Sequence, residues 1–483
     1  MINFDHDKSD PKNQIWLDDL IEEDKFSVEF YLRKVIDTVV EHNPIKSVLN
    51  WTDFYIDGYK NRKGFNDKCI LYEREFLDTF TDLFNGTHKK YDLVFITSEE
   101  LFFNSSVEDI FENEDYDKIL NEIEKKGDVQ SKTRLRLAKK VFSVVSRYDS
   151  LIANYLNKYT QGDDCLLDEN ISIGAKELSK LRYGENPHQK AKLYQVTNPQ
   201  LTKFDYKQLT GKALSFNNLV DTESAFSCVE QFDIPSCVIV KHANPCGVAS
   251  SKSIENAYKH AYKTDPTSAF GGIIAFNKKI NHKLISKILD KQFVEVIAAP
   301  GFDKETLEIM KKKPNVRLLK IRLKNKKDIV YEVKLLRDKL LIQEKDSKQI
   351  TKNDLVTMTL KKPSPRQVED MIFAFKISRY VKSNSIVIAK NNRTLAIGAG
   401  QMSRIDSTNI AYNKAKKQNI SLKGSVMASE AFFPFRDNLD LAKKIGVSVI
   451  IQPGGSINDE KIIKVANQHK LSMCFSHTRV FKH

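Results

Sequence analysis

Lys241 and His242 end a short apolar run, Cys237-Val-Ile-Val, and Ala-Asn244-Pro245-Cys246-Gly247 follows at once. A β-branched run of this length reads as a buried strand. Open α/β sheets place their chemistry at the carboxyl ends of strands. Lys supplies a fixed positive charge there, and His a proton acceptor near neutral pH. Asn244-Pro245 reads as the stop of the strand, and Gly247 as a residue set for a backbone conformation closed to other types. Taken alone, the pair is more readily a strand surfacing into solvent. Cys246 is more readily a small buried filler than a nucleophile. A site requires other segments to converge on this one.

Several segments offer the means. Leu181-Arg182-Tyr183-Gly184-Glu185-Asn186-Pro187-His188-Gln189 combines a donor fork suited to phosphate or carboxylate with an aromatic face and a hinge. Ser215-Phe-Asn-Asn218-Leu-Val-Asp221 offers two amides and a carboxylate, or an Asn cap on a helix starting near Asp221. Ser268-Ala-Phe270-Gly271-Gly272 reads as a close-approach turn entering a strand. Gly398-Ala-Gly400-Gln401-Met-Ser403-Arg404-Ile405 carries small residues into a helix start, which suits an anion. Val381-Lys-Ser-Asn384-Ser385, Ala431-Phe432-Phe-Pro-Phe-Arg436-Asp437-Asn438, Pro453-Gly-Gly-Ser456 and the terminal His477-Thr-Arg479-Val-Phe-Lys-His483 complete the set. No His, Cys, Asp or Glu cluster has zinc spacing, and there is no Gly-x-Ser-x-Gly elbow. No metal site is expected.

The elements that must position these residues lie after about residue 170. There, strand-like runs (Cys237–Val240, Gly272–Phe276, Ser385–Ala389, Val447–Ile451) alternate with helical patterns (Ile254–Lys263, Lys283–Phe293, Ser364–Tyr380, Asn409–Gln418, Leu439–Lys444, Asp459–His469). This is an α/β texture, long enough for two packed units, without a strict sequence repeat. Before residue 165, Phe26–Val40, Tyr116–Lys126 and Thr133–Tyr155 read as helices, Tyr91–Thr97 as a strand and Asn85-Gly86 as an ordinary turn.

The chain has 483 residues, a hydrophobic fraction of 41% and a net charge of +14. That length suits two to four domains. No apolar run approaches the roughly 20 residues of a membrane span, and the polar, acidic start does not read as a signal peptide. The six cysteines lack metal or disulfide spacing, as in a reducing cytoplasm. The charge raises nucleic acid as a partner, but no nucleic-acid motif is present. The densest basic stretch, Lys311–Lys352, reads as exposed strands and turns.

In this order the motifs closely resemble the AICAR transformylase part of the bifunctional AICAR transformylase/IMP cyclohydrolase family, over about residues 170–483. The resemblance implies two cytidine-deaminase-like α/β units in residues 169–483. It implies formyl transfer from 10-formyltetrahydrofolate, a co-substrate, to the 5-amino group of AICAR in purine biosynthesis, at sites formed across a cytoplasmic homodimer. Lys241 resembles the oxyanion-stabilising group, His242 the proton-transfer residue and His188 its supporting histidine. Arg182, Tyr183, Asn218, Gly271, Glu295, Asn384, Arg404, Phe432 and Arg479 match AICAR-contacting positions. Ile405, Asp437, Ser456 and Ile457 match positions near the folate. A structural monovalent cation is compatible with the family.

Residues 1–168 depart from the family. They resemble the skeleton of its methylglyoxal-synthase-like cyclohydrolase domain, but the Ser-Thr-Gly-Gly-Thr, Lys-Thr-Leu-His-Pro and Arg-Ala-Ala-Ala-Lys-Asn motifs are missing. Ring closure on FAICAR needs a phosphate anchor and an activated amide, so a degenerate cyclohydrolase domain is expected. A fully bifunctional enzyme with a remodelled first site, and a pseudoenzyme that binds AICAR or folate, stand as alternatives.

Overall fold

A computed structural model describes residues 113–161, 170–196, 204–322 and 331–483. The helix expected at Phe26–Val40, the strand at Tyr91–Thr97 and the turn at Asn85-Gly86 lie outside the described residues. The chain divides into two compact units, Met1–Asp149 and Ser150–His483.

α1 (Asn113–Lys126) lies in the first unit and covers the helix expected at Tyr116–Lys126; α2 (Ser131–Gln161) covers the one expected at Thr133–Tyr155, and its last residues belong to the second unit. Ile119, Val129 and Leu137 form a small apolar cluster. Asp115 is buried and meets Arg136 at 2.7 Å and Lys140 at 2.6 Å. Burial raises its carboxyl pKa, but these two cations outweigh it and hold the group below the usual carboxylate range.

The second unit opens with an antiparallel pair, β1 (Ala175–Lys180) and β2 (Lys192–Val196). Two six-stranded sheets follow. The first contains β3 (Tyr206–Thr210), β4 (Ser236–Lys241), β5 (Asn244–Ser250), β6 (Gly272–Phe276), β7 (Val294–Ala299) and β8 (Arg317–Ile321), in the order 3-8-7-6-4-5. Its helices are α3 (Phe216–Val229), α4 (Ile254–Thr264), α5 (His282–Lys291) and α6 (Lys304–Lys311). An exposed hairpin, β9 (Tyr331–Leu336) and β10 (Lys339–Glu344), leads on. The second sheet contains β11 (Val356–Thr357), β12 (Ile386–Ala389), β13 (Thr394–Gly398), β14 (Val426–Ser429), β15 (Val449–Gln452) and β16 (Ser472–Phe475), in the order 11-16-15-14-12-13. Its helices are α7 (Pro365–Ser378), α8 (Arg404–Lys417), α9 (Asp437–Ile445) and α10 (Asp459–Gln468).

The two sheets repeat one another strand for strand. In each, three parallel strands are flanked by antiparallel neighbours in the same positions. The sequence shows no strict repeat because only topology and a few residues supporting one turn, such as Asp221 and Asp370, have been kept. Alternation along the strands builds the layers. Val238 and Val240 of β4 join a core shared with Val387 and Ala389 of β12 and with α3 and α7. Cys237 and Ile239 face the opposite way, onto Ala257 and Ala261 of α4 and Ile285 and Ile288 of α5. The second sheet has its own outer core, with Ile386 and Ile388 on Ala411 of α8 and Leu439 of α9.

Five expectations are corrected. The chain does not stop at Asn244-Pro245: it reverses at His242-Ala243 and runs straight back as β5. Pro245 is tolerated because β5 is the last strand of its sheet. Gly247 has no left-handed backbone; it is needed because any β-carbon there would collide with the Ala261 carbonyl of α4. α3 begins at Phe216, capped by Ser215 with Asn218 closing a capping box, five residues before the expected start. α8 begins at Arg404, not Asn409, and Arg317–Ile321 is a largely buried strand rather than exposed. Gly247→Ala should destabilise the protein by about 1–3 kcal/mol through overpacking, read as a lower urea midpoint with an unchanged slope.

Candidate active site

Lys241 and Asn244 are paired across the β4–β5 hairpin, so His242 and Ala243 are the two turn residues. Their φ values are 53° and 56°. Two-residue hairpins favour a turn with φ positive at both centres, normally filled by Asn or Gly. A β-carbon makes that conformation unfavourable by about 1–2 kcal/mol per residue. The surroundings hold it. Asp221 of α3 accepts the Ala243 N–H at 2.7 Å and the His242 N–H at 3.3 Å. Ser224, one helical turn further on, donates to the Ala243 carbonyl at 3.0 Å. Asn244 Nδ2 donates to the His242 carbonyl at 3.2 Å. Every backbone N–H and C=O of the two turn residues thus has a side-chain partner. Burial pushes the Asp221 carboxyl pKa up; the two N–H groups and the nearby Lys241 and His242 oppose this without cancelling it.

Lys241 Nζ is fixed by the Phe270 carbonyl at 2.8 Å. Gly271 beside it has φ +69°, and a β-carbon there would lie 3.0 Å from Nζ. Glu295, at the start of β7, receives Arg317 NH1 at 2.6 Å. Arg317 is buried and also donates to the Lys212 and Ala213 carbonyls. Lys241, Gly271 and Glu295 therefore share one edge of the first sheet. The imidazole of His242 is exposed at that edge. Cys246 is buried, and burial pushes its thiol pKa up to about 12, which removes it as a nucleophile.

The loop between β1 and β2 carries Arg182, Tyr183 and His188. Arg182 stacks over the Tyr183 ring at 5.4 Å, and Asn217 Nδ2 ties the loop to the start of α3 through the Glu185 carbonyl at 3.0 Å. His188 is exposed. Asn218 is buried, with its Oδ1 accepting the Ser215 N–H.

The remaining predicted residues gather at one edge of the second sheet. Arg404, buried, donates to Glu430 Oε2 at 2.6 Å, Ser429 Oγ at 2.9 Å and Asn384 Oδ1 at 2.7 Å. The loops after β14 and β15 are joined by Asn458 Nδ2 to the Pro434 carbonyl. They expose Phe432, Phe435 and Ile457. Ser456 is half-buried in the second of these loops, Asp437 is half-buried at the first position of α9, and Ile405 is half-buried in the first turn of α8. Arg479 lies over the Phe481 ring, in a tail that bonds back to Ser383 through Lys482.

The structure thus forms two groups on non-equivalent edges of the repeat: Lys241, His242, Gly271 and Glu295 on the first sheet, and Asn384, Arg404, Phe432 and the loops near Ser456 on the second. Asn244 Oδ1, accepting the Lys382 N–H at 2.9 Å, joins their neighbourhoods. The sequence reading missed the support roles of Asp221, Arg317 and Glu430. Asp221 was visible as a carboxylate but not as the anchor of a turn; a buried Glu430 has no one-dimensional signature.

Residues 104–414 match the model of the AICARFT/IMPCHase bienzyme family. The chain is 44% identical over 377 residues to a bifunctional purine biosynthesis protein PurH of Caldicellulosiruptor saccharolyticus, covering 77% of this chain and 72% of that protein. The chain belongs to the AICARFT/IMPCHase bienzyme family. Membership bears out the resemblance drawn from the motifs. In this family member the Arg404–Glu430 pair is closed off from water: Glu430 is fully buried. Removing one partner leaves an unpaired buried charge. Arg404→Ala should cost about 3–5 kcal/mol of stability, read in urea denaturation.

Proposed function

We propose that this protein is an AICAR formyltransferase of purine biosynthesis, using 10-formyltetrahydrofolate as co-substrate and yielding FAICAR and tetrahydrofolate. The observation that carries this reading is the left-handed His242-Ala243 turn at the end of β4, with Lys241 Nζ fixed at Phe270 and His242 exposed beside it. AICAR's amine is conjugated and a weak nucleophile. As it bonds to the formyl carbon, His242 takes its proton. Lys241 carries the charge that develops on the formyl oxygen. Collapse breaks the bond to the folate N10, which leaves with a proton returned from His242. General-base help of this kind is worth ~10²–10⁴-fold, and one oxyanion donor about 3–4 kcal/mol.

His188 supports the pair. Arg182, Tyr183, Asn218, Gly271, Glu295, Asn384, Arg404, Phe432 and Arg479 serve AICAR, and Ile405, Asp437, Ser456 and Ile457 the folate. Because the second group occupies a different edge from Lys241, a cytoplasmic homodimer that apposes the two edges would complete each site. Residues 169–483 form the transformylase region of two cytidine-deaminase-like units. Glu430 Oε1, buried without a hydrogen-bond partner, offers a hard donor for a structural monovalent cation, with the Ser385 hydroxyl bonded to the same carboxylate. Such an ion would offset buried negative charge.

Residues 1–168 are a degenerate cyclohydrolase domain of methylglyoxal-synthase-like fold that does not close the ring. The missing phosphate-loop and Lys motifs support this.

Tetrahydrofolate formation, followed by absorbance with AICAR and 10-formyltetrahydrofolate, should show turnover. His242→Ala should lower it by ~10²–10⁴-fold with calorimetric AICAR affinity little changed; undiminished turnover removes His242 from the mechanism. In a separate assay, purified protein given FAICAR should make no IMP, and rapid ring closure would refute the degenerate-domain reading.

A further inference from the structure

The internal repeat supplies a comparison for the catalytic turn. At the matching position of the second sheet, β12 and β13 are joined by Asn391-Asn392, with φ values of 56° and 53°. Asp370 of α7 accepts both N–H groups, at 2.9 and 2.8 Å. It stands at the sixth residue of α7, as Asp221 stands at the sixth residue of α3. Lys390 Nζ donates to the Lys423 carbonyl at 2.9 Å, next to Gly424, as Lys241 does to Phe270 next to Gly271. The framework is the same; the turn residues differ. Asn and His enter the left-handed region more readily than most residues, whereas Ala does not, so the misfit of the first turn lies at Ala243. Ser250 N–H also donates to the Asn392 carbonyl at 2.9 Å. The first residue of each turn, His242 and Asn391, is exposed.

We propose that Asp221 is a positioning residue for formyl transfer: its carboxylate clamps the His242 and Ala243 amides and so aims the imidazole, while Asp370, doing the same for Asn391-Asn392, serves the fold alone. This rests on the transformylase reading. Two acceptor oxygens are needed for two converging N–H donors. An amide at Asp221 offers one and points an NH₂ at the other, so the turn relaxes and the ring leaves its aligned position. Misplacement of about 1 Å can cost 10²-fold in rate. The first Asp holds a turn that disfavours its own conformation, so its loss is felt at His242; the second holds a turn that already favours it.

The test compares Asp221→Asn with Asp370→Asn in the full-length protein. Asp221→Asn is expected to lower kcat by about 10²-fold with the KM for AICAR within threefold, and Asp370→Asn to leave kcat within threefold even where its melting temperature falls as much. A double-mutant cycle isolates the route: Asp221→Asn added to His242→Ala should cause no further loss, since both act through one ring. Equal effects of the two Asp changes, or losses that multiply in the cycle, would overturn the proposal. If Asp221→Asn does not fold, Asp221→Glu, which keeps the charge but shifts it by one methylene, must still lower kcat at least tenfold; wild-type kcat in that variant also overturns it. Histidine-labelled NMR gives a readout free of turnover: the His242 ring signals should shift and broaden in Asp221→Asn and stay unchanged in Asp370→Asn. A wild-type protein that makes no tetrahydrofolate would refute the transformylase reading, while the NMR comparison would still decide whether Asp221 orders the ring.

Discussion

Two backbone amides pointing at one carboxylate organise this protein's candidate chemistry. Asp221 projects from α3 onto the β4–β5 turn and receives both N–H groups of His242 and Ala243. Without that anion, two residues with β-carbons would have to hold a left-handed backbone unaided, at about 1–2 kcal/mol each. With it, the hairpin reverses in two residues, β5 returns beside β4, and an imidazole stands at the sheet edge. Ser224 and Asn244 fix the carbonyls of the same residues. Asn244 also reaches the loop that leads to Asn384. A network of neutral and charged hydrogen bonds thus converts an unfavourable turn into a rigid platform.

The duplicated sheets show what that platform costs. Asn391-Asn392 uses residues suited to its conformation and keeps the Asp, the Lys and the glycine. His242-Ala243 places an alanine, which is not suited, at its second position. Strain gathered at Ala243, beside the candidate catalytic His242, with a relaxed twin at Asn391-Asn392, is the distribution expected when function sets the residue and the scaffold absorbs the difference. The Arg404–Glu430 pair follows a similar logic: a buried ion pair that holds Asn384 while contributing little net stability of its own.

Much of this was legible in the sequence. The apolar β-branched runs located β4, β6, β12 and β15, because burial on both faces leaves few alternatives to Val and Ile. The motifs identified the family. The register of the turn was misjudged, because Asn-Pro-x-Gly is a strong local turn signal and the competing force, a carboxylate twenty residues earlier in the chain, is not local. The early start of α3 was missed since Ser215 and Asn218 cap it reciprocally, while the apolar pattern becomes plain only later. The repeat was invisible because two sheets can share strand order and direction while sharing almost no side chains. The division of the site residues between two edges follows from topology alone, which spacing along the chain does not encode.

On the proposed function, His242-Ala243 is kept for chemistry against the backbone preference of Ala243. The most direct test is the double substitution His242→Asn with Ala243→Asn, which writes the second turn's residues into the first, measured by urea denaturation and by tetrahydrofolate release on the same preparation. Equal or greater stability is expected, by up to about 1–2 kcal/mol, together with loss of formyl transfer. A less stable protein, or one that still transfers the formyl group, would contradict this reading.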